Sequence, residues 1–365
     1  MKKYLKKKLV ALFITLALAA TFLVACGGPE TASTDSKADT TEVADTSISA
    51  TEQATENKDL KPLRLGCGDA TTSQLNDLAR VAQKKGYLEE ELNNVGYTLE
   101  TAGFAGQGPE IVAAIASDSL DGGNIAEFPV LTSNASGIKT TVVAVTDSNL
   151  AYGILVAKDD IVTVKDLEGK KIVVQAGTAL QYVWEQIVAE TGIDTSNIEV
   201  INANVVDGIS LVQTGDADAV LSSATSVEST VKKGFGHVVE GIPATAHSTT
   251  LISLTDKLLA ESPEVAVAIN KALIRTYEYV LENPDEFYKV VGEAYGEVGP
   301  EIAKSAYEIN GGLEYISPEF TDDVNAFYKA TYDWMKANGI LKADVDVNKV
   351  FDSSYYEKAV EELDK

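Results

Sequence analysis

Residues 170–222 read KKIVVQAGTALQYVWEQIVAETGIDTSNIEVINANVVDGISLVQTGDADAVLS, and this stretch decides the fold class. It contains three short apolar runs of strand length, at 170–175, 198–203 and 217–222. The segments between these runs have helical spacing, at about 178–192 and 206–214. Strand and helix therefore alternate, which predicts a parallel sheet covered by helices on both faces.

The same alternation extends towards the N-terminus. It predicts strands at 62–67, 97–104, 120–125, 139–146 and 152–158, and helices at 73–86 and 107–117. A weak repeat at a spacing of 97 residues pairs Val112 with Ile209, Ile115 with Val212 and Asp121 with Asp218. Any α/β protein contains such helix–turn–strand units, but the repeat favours two sheets of similar build, one in each of two lobes.

Beyond residue 255 the pattern is helical only. Four predicted helix starts share a proline followed by an acid, at Pro263-Glu264, Pro284-Asp285, Pro300-Glu301 and Pro318-Glu319. Proline suits the first helical turn because its missing N–H is not needed there, and the acid complements the helix dipole. We expect this helical C-terminal region to pack on the first lobe.

Composition excludes several classes of function. The 365 residues include 30 Lys and Arg against 55 Asp and Glu, which gives a net charge of −25. Such a chain is repelled by polyphosphate, so nucleic acid is excluded as a partner. Two His and two Cys are too few for a Cys-rich zinc site or a disulfide framework. We therefore predict no metal and no cofactor.

The N-terminus has the pattern of a secretory signal. Lysine-rich residues 1–8 precede an uncharged apolar run at 9–25, which ends in Leu23-Val24-Ala25-Cys26. This ending is typical of a lipobox, so we predict a signal peptide at 1–25 and lipidation of Cys26. A simple membrane-anchor helix is the alternative, although the run is marginal for a span. Residues 27–60 lack aromatic residues and carry excess acids, which predicts a disordered tether.

Four loops are candidates for a ligand site, because ligands of open parallel sheets bind outside the carboxyl ends of the strands. They are the small or polar segments at 66–69, 124–128, 176–179 and 222–225. The Ala176-Gly177-Thr178 step opens a helix, so its N–H groups would favour an anion. Small residues also make ordinary tight turns, and both readings stay open for any single loop.

Several motifs carry a resemblance that spans most of the body. They are Leu63-Arg64-Leu65-Gly66 with Lys84-Lys85-Gly86-Tyr87-Leu88, Ala113-Ala114-Ile115-Ala116-Ser117 with Leu120-Asp121-Gly122-Gly123, Leu155-Val156-Ala157-Lys158 with Asp166-Leu167-Glu168-Gly169-Lys170-Lys171-Ile172, and Gly339-Ile340-Leu341 with Val345-Asp346. Together they resemble the solute-binding lipoproteins of ABC importers, in the branch for aliphatic sulfonates, taurine, nitrate and thiamine precursors.

The resemblance implies an α/β, two-lobed periplasmic-binding-protein fold of type II, whose double-strand hinge closes on a ligand. We expect the first lobe at 61–148, the second at 149–250, and the return to the first lobe with the C-terminal helices at 251–365. The loops named above would line the cleft. Carried over by the resemblance, the candidate ligand-binding residues are Cys67, Gly68, Phe104, Glu127, Tyr152, Gly177, Thr178, Ser222 and Thr225.

The chain departs from the family pattern at two cleft positions. Ala126 replaces a frequent glycine, and the last strand runs into Ser223-Ala224-Thr225 where the family often has Trp-Asp-Pro. A sulfonate or taurine-like ligand is the first choice, with Glu127 pairing with an amine if the ligand is a zwitterion. A planar thiamine-precursor pyrimidine stacked on aromatic residues is the alternative. None of the three arginines falls in the four loops, which disfavours a free amino acid.

Two other functional classes compete with transport. No Gly-x-Ser-x-Gly or His-Glu-x-x-His motif supports catalysis, so we predict that the chain is not an enzyme. A binding protein that serves a sensor is the second alternative. We expect a monomer on the extracytoplasmic face of the cell membrane, attached through its lipid anchor only. Its partners would be a small-molecule solute, an ABC permease and the associated ATPase.

Overall fold

The computed structural model describes residues 60–309 and 311–365, which belong to one compact unit. The predicted signal peptide, the lipidation site at Cys26 and the tether up to residue 59 lie outside the described residues. No helix within the described part has both the length and the apolar character to cross a membrane.

Ten strands within the described residues form two five-stranded sheets. In chain order they are β1 (Lys61–Cys67), β2 (Tyr97–Gly103), β3 (Gly122–Ile125), β4 (Thr140–Leu150), β5 (Tyr152–Val156), β6 (Lys171–Val173), β7 (Glu199–Ile201), β8 (Ala219–Ser223), β9 (His237–Val238) and β10 (Ser248–Thr255). The first sheet has the order β2-β1-β3-β10-β4 and the second the order β7-β6-β8-β5-β9. Each sheet defines one lobe.

The two sheets have the same plan. In the first, β1 is parallel to β2 and β3, whereas β10 runs antiparallel to β3 and β4. In the second, β6 is parallel to β7 and β8, whereas β5 runs antiparallel to β8 and β9. The chain passes between the lobes twice, from β4 into β5 and from β9 to β10. The strand of each sheet that runs antiparallel to both of its neighbours, β10 or β5, begins directly after one of these crossings. This similarity agrees with the sequence repeat.

Helices cover both sheets and form the C-terminal region. They are α1 (Asp77–Lys84), α2 (Tyr87–Asn94), α3 (Gly108–Ala116), α4 (Glu127–Ala135), α5 (Ala179–Thr191), α6 (Val205–Thr214), α7 (Ala224–Lys232), α8 (Asp256–Glu261), α9 (Glu264–Glu282), α10 (Pro284–Gly292), α11 (Gly299–Ile309), α12 (Asp322–Ala337), α13 (Val347–Val350) and α14 (Ser354–Leu363). Within the part of the chain that the structure describes, three short 3₁₀ segments lie at Val164–Leu167, Glu293–Val298 and Leu313–Ile316.

The helix predicted at 73–86 is wrong in its first turn. The observed helix begins at Asp77, because residues 69–76 instead form a loop around the Asp69 carboxylate. Asp69 Oδ1 accepts hydrogen bonds from the backbone N–H groups of Thr71 and Thr72, at 3.0 and 2.9 Å. Ser73 and Asp77 both have positive φ, near 53° and 52°, which interrupts helical geometry. The loop therefore brings Asp77 to the end of the sheet.

Each lobe has its own apolar core. Buried residues of the first include Ile111, Phe128, Leu131, Val145 and Tyr328. Those of the second include Ile154, Ile172, Val183, Trp184 and Leu221. These side chains project from the sheets and their covering helices, so strand–helix packing stabilises each lobe separately.

The C-terminal helices pack mainly on the first lobe, as predicted. Arg275 of α9 pairs with Glu90 and Glu91 of α2, and α12 contributes Tyr328 to the first core. Helices α10 and α11 approach very closely at Gly292 and Gly299, where a Cβ on Gly299 would overlap the Gly292 carbonyl. This close approach sets the position of α11, which also contacts the second lobe.

Candidate ligand-binding cleft

The carboxyl ends of the parallel strands in both lobes face one region, and polar residues are concentrated there. The buried set comprises Asp77, Asn124, Glu127, Thr146, Asp147, Gln175, Thr178, Ser222, Ser248, Thr249 and Thr250. Burying polar side chains is costly unless they are hydrogen-bonded, so such a concentration marks a region built for a polar partner. We call this region the cleft.

The two chain crossings form the floor of the cleft. Tyr152, directly after the first crossing, shares a hydrogen bond of 2.6 Å with Ser248 on the second. Glu127 Oε2, at the start of α4, accepts from the backbone N–H of Thr249 at 3.1 Å and from its hydroxyl at 2.8 Å. The crossings are therefore linked to each other and to a first-lobe helix.

Glu127 is completely buried, and burial raises its pKa to about 7 against an ordinary 4.5, although the Thr249 hydrogen bonds oppose the rise. Its second oxygen, Oε1, has no hydrogen-bond partner in the structure. Burial also raises the pKa values of Tyr152 and Tyr328, and the nearby Glu127 charge adds to both effects. The carboxyl group thus lies in a poorly solvated environment that disfavours its ionised form.

A second acidic pair lies beside these crossings. Asp77 Oδ1 accepts a hydrogen bond of 2.5 Å from the Tyr307 hydroxyl. Asp77 Oδ2 is buried, and no donor lies within hydrogen-bonding distance and angle of it. Burial raises the pKa of Asp77, although Tyr307, Thr250 and Arg80 act in the opposite direction. Burial and the neighbouring Asp77 charge raise the pKa of Asp147 well above its ordinary value. The two carboxyl groups are close enough to disfavour joint ionisation.

Arg80 is the cation that acts on Asp77, and its guanidinium is already engaged. Its Nη2 lies 2.6 Å from Asp69 Oδ2, and its Nε donates to the Leu75 carbonyl at 2.8 Å. Burial opposes the ionisation of Asp69, but hydrogen bonds from Thr72 and the Arg80 charge outweigh it and lower the pKa of Asp69. The remaining arginines pair elsewhere, Arg64 with Asp121 and Arg275 with α2.

Three backbone donors of the predicted anion site at the start of α5 are in use. The N–H of Ala176 donates to Asn202 Oδ1 at 2.9 Å, and the N–H of Gly177 donates to Gln181 Oε1 at 3.0 Å. The hydroxyl of Thr178 accepts from the Leu180 N–H at 3.2 Å as the helix cap. Side-chain oxygens of the protein therefore engage the N–H groups of Ala176 and Gly177, and a ligand-binding role for Gly177 and Thr178 stays a prediction.

The other predicted residues are distributed along both walls. Cys67 is fully buried at the end of β1, with its thiol 3.5 Å from the Ala102 carbonyl. Gly68 follows it, and Phe104 is half-buried against the first core. In the second lobe Ser222 is buried, and the Thr225 hydroxyl lies 3.2 Å from Ser223 Oγ. The structure thus brings the predicted loops together, with Cys67 inside the core.

The lobes contact each other around the cleft. Gln175 Nε2 donates to the Gly106 carbonyl across the lobes at 3.3 Å. On the other side Ser305 of α11 donates to Glu228 of α7 at 2.9 Å, and Tyr295 forms a hydrogen bond with Thr225. Behind the cleft, aromatic rings of the second lobe pack against α12. The ring centroids of Tyr182 and Trp334 are 5.0 Å apart, and those of His247 and Phe327 are 4.3 Å apart. The lobes are therefore closed over the polar interior.

Asp77, Asp147, Gln175 and Tyr307 are cleft residues that the sequence did not identify. Asp77 falls within the helix predicted at 73–86. Tyr307 lies in the C-terminal helical region, for which the sequence predicts packing on the first lobe and no ligand contact. Asp147 directly follows a predicted strand, which is the signal that could have identified it. Among the described residues no group of three or more His, Cys, Asp or Glu is arranged to hold a metal ion.

Comparisons with known proteins agree with this architecture. A family model described as NMT1/THI5 like matches residues 79–287, more than half of the chain. A Bacillus subtilis (strain 168) protein described as an aliphatic sulfonates-binding protein is 24% identical over 311 residues, covering 84% of this chain and 90% of that protein.

Two solved structures show the range of proteins with this fold. A periplasmic sulfonate-binding protein SsuA from Methylobacillus flagellatus KT superposes with a TM-score of 0.68 at 20% identity, covering 84% of this chain and 96% of that one. The desulfurization enzyme DSZB superposes with a TM-score of 0.61 at 14% identity, covering 82% and 99%. The predicted two-lobed periplasmic-binding-protein fold is thereby confirmed. Because the fold also carries an enzyme, it does not by itself establish a binding role.

Proposed function

Because the chain belongs to the NMT1/THI5-like family, as the resemblance predicted, we propose that it is the substrate-binding component of an ABC importer. In this role it captures a small organic solute between its lobes and delivers it to a permease that is driven by an ATPase. Lipidation of Cys26 would hold it on the extracytoplasmic face of the cell membrane. The similarity to sulfonate-binding proteins supports the solute-binding role.

The observation that carries the proposal is the polar cleft enclosed by both lobes and crossed by two linked strands. Tyr152 and Ser248 join the crossings, and the second lobe contributes Gln175, Thr178 and Ser222 to the same interior. A solute that contacts both walls binds the closed arrangement better than the open one, so binding shifts the population towards closure. No chemical change of the solute is part of this mechanism.

A sulfonate of the taurine type is the ligand that the relatives favour. Taurine has an ammonium group for the acidic side of the cleft as well as a sulfonate. A planar pyrimidine is the alternative, because Phe104 is half-buried near the loops and could stack on a ring. A sensor-associated binding protein would use the same cleft and the same closure.

Thermal unfolding of the full-length chain in detergent tests the proposal. The panel is taurine, ethanesulfonate, nitrate and a 4-aminopyrimidine, each at several concentrations. A ligand present at 100 times its Kd stabilises the folded state by about 2.7 kcal/mol and raises the Tm. A concentration-dependent rise with one compound supports a solute-binding role. If none of the compounds raises the Tm, the proposed ligand class is wrong. If a strain that lacks this protein still takes up the stabilising compound at the wild-type rate, the importer role is wrong.

A further inference from the structure

The unpartnered polar atoms of the cleft share one chemical character. They include Asp77 Oδ2, Glu127 Oε1 and Gln175 Oε1. Gln175 Oε1 is an acceptor, and the two carboxyl oxygens accept when their groups are ionised. The residues that carry them are 8%, 0% and 8% exposed, and they come from both lobes. A buried acceptor without a partner costs free energy, so these atoms indicate a bound group that supplies donors.

Several donors of the same region are already used. Arg80 is held by Asp69 and Leu75, and the N–H groups at the start of α5 donate to side-chain oxygens. In the first lobe the Asn76 N–H donates to Asn124 Oδ1 at 2.6 Å. A bare anion entering the cleft would find few free donors and would meet the carboxyl groups of Asp77 and Asp147.

We propose that the cleft recognises a small organic cation or zwitterion by its protonated amine or guanidinium group, which Asp77 Oδ2 accepts and the charge of Asp147 stabilises. The inference rests on the proposed solute-binding function and specifies its substrate class. A cation between the two carboxylates removes their mutual repulsion and makes charge-assisted hydrogen bonds. Recognition therefore needs N–H donors as well as positive charge.

Tyr307 positions the acceptor. Its hydroxyl donates to Asp77 Oδ1, which leaves Oδ2 as the free oxygen of that carboxylate. Tyr307 lies on α11, whose Ser305 contacts the second lobe. The helix that orients Asp77 is thus the one that contacts α7 across the cleft, which connects cation recognition with lobe closure.

Affinity for the cation should rise with pH. Around Asp77 the charged and titratable groups are Arg80 with its partner Asp69, and Asp147, Tyr152, Tyr295 and Tyr307. Burial raises the pKa values of the three tyrosines, so they stay neutral. The two carboxyl groups have raised pKa values, so ionisation as pH rises creates the acceptor that the cation needs. A bare sulfonate would show the opposite dependence.

Calorimetric titration of the full-length chain with matched probes tests the inference. The cations are propylammonium, 1,4-diaminobutane and butylguanidinium; tetramethylammonium supplies charge without N–H donors. Taurine and ethanesulfonate differ by the amine only. We expect binding of at least one N–H cation or of taurine, with ethanesulfonate and tetramethylammonium at least about 10-fold weaker.

Asp77→Asn and Asp147→Asn should each weaken the bound N–H ligand by about 10- to 100-fold, since each removes a charged contact. Asp159→Asn, at an exposed position of the second lobe, is the matched control and should leave affinity unchanged. Thermal unfolding without ligand shows whether each variant folds. If Asp77→Asn or Asp147→Asn fails to fold, the affinity of the other variant decides the outcome.

Each outcome decides a separate claim. Ethanesulfonate binding as tightly as taurine, with no effect of either Asn variant, overturns the inference and leaves the proposed function standing. Equal binding of tetramethylammonium overturns the donor requirement. Absence of binding by every N–H compound overturns the inference, and binding of nitrate or a pyrimidine in the same titrations would still support solute capture.

Discussion

Replacing Glu127 by glutamine should make the stability of the protein less sensitive to pH. The side chain is completely buried, and its pKa is about 7 in the folded chain against 4.5 as the ordinary value. The folded state therefore binds this proton more tightly than the unfolded state. The stabilising contribution is complete below pH 4.5 and is lost as pH rises through 7.

Between pH 5 and pH 8 this loss amounts to about 2.5 kcal/mol for the wild-type chain. Glu127→Gln cannot titrate, so its free energy of unfolding should rise relative to wild type by that amount over the same range. Other buried groups, such as Asp77, are present in both proteins, and their contributions cancel in the difference. The Thr249 hydrogen bonds reach an oxygen that glutamine retains.

Urea unfolding followed by tryptophan fluorescence measures the difference, with Trp184 in the second lobe and Trp334 in α12 as probes. The control is Glu240→Gln at an exposed position, for which the difference from wild type should not change with pH. Parallel pH profiles for wild type and Glu127→Gln would show that this carboxyl group is not held neutral by burial, and would refute the reasoning.

Three further predictions concern the surroundings of the cleft. Gly299→Ala should destabilise the protein by about 1–3 kcal/mol in urea unfolding, because its Cβ overlaps the facing backbone; an unchanged midpoint would contradict the close approach. Asp69→Ala leaves the Arg80 charge buried without its carboxylate and should cost about 3–5 kcal/mol, whereas adding Arg80→Leu should recover part of the loss. Tyr307→Phe removes a hydrogen bond that lowers the pKa of Asp77, so the pH midpoint of ligand binding should move upwards in titrations; an unmoved midpoint would separate Tyr307 from the site.

Much of the fold could be predicted because it depends on periodic patterns. The alternation in residues 170–222 anticipated β6, β7 and β8 with the helices between them. Three of the four proline–acid pairs lie at the starts of α9, α10 and α11. The start predicted at Pro318-Glu319 is wrong, because α12 begins at Asp322 with the Thr321 side chain as its cap. These features depend on local propensity and on the burial of one face, both of which are visible in a single sequence.

The cleft was only partly predictable, because its chemistry depends on contacts between distant segments. Asp77 and Tyr307 are 230 residues apart, and their hydrogen bond follows from the packing of α11 over α1. The loop before Asp77 has no helical geometry because the Asp69 carboxylate takes its N–H groups. The anion site at Gly177 stays a prediction, and the sequence does not show that Gln181, one turn later, accepts the Gly177 N–H.

The contacts between α11 and α7 have a consequence for how long a captured solute stays bound. Opening the lobes on that side breaks the Ser305–Glu228 hydrogen bond of α11 and the contact of Tyr295, in the preceding 3₁₀ segment, with Thr225 of α7. These bonds form only after closure, so they slow dissociation without affecting the first encounter. In the proposed importer role, the residence time of the solute, and with it the interval in which a permease could engage the closed form, would be set in part by a helix outside both sheets.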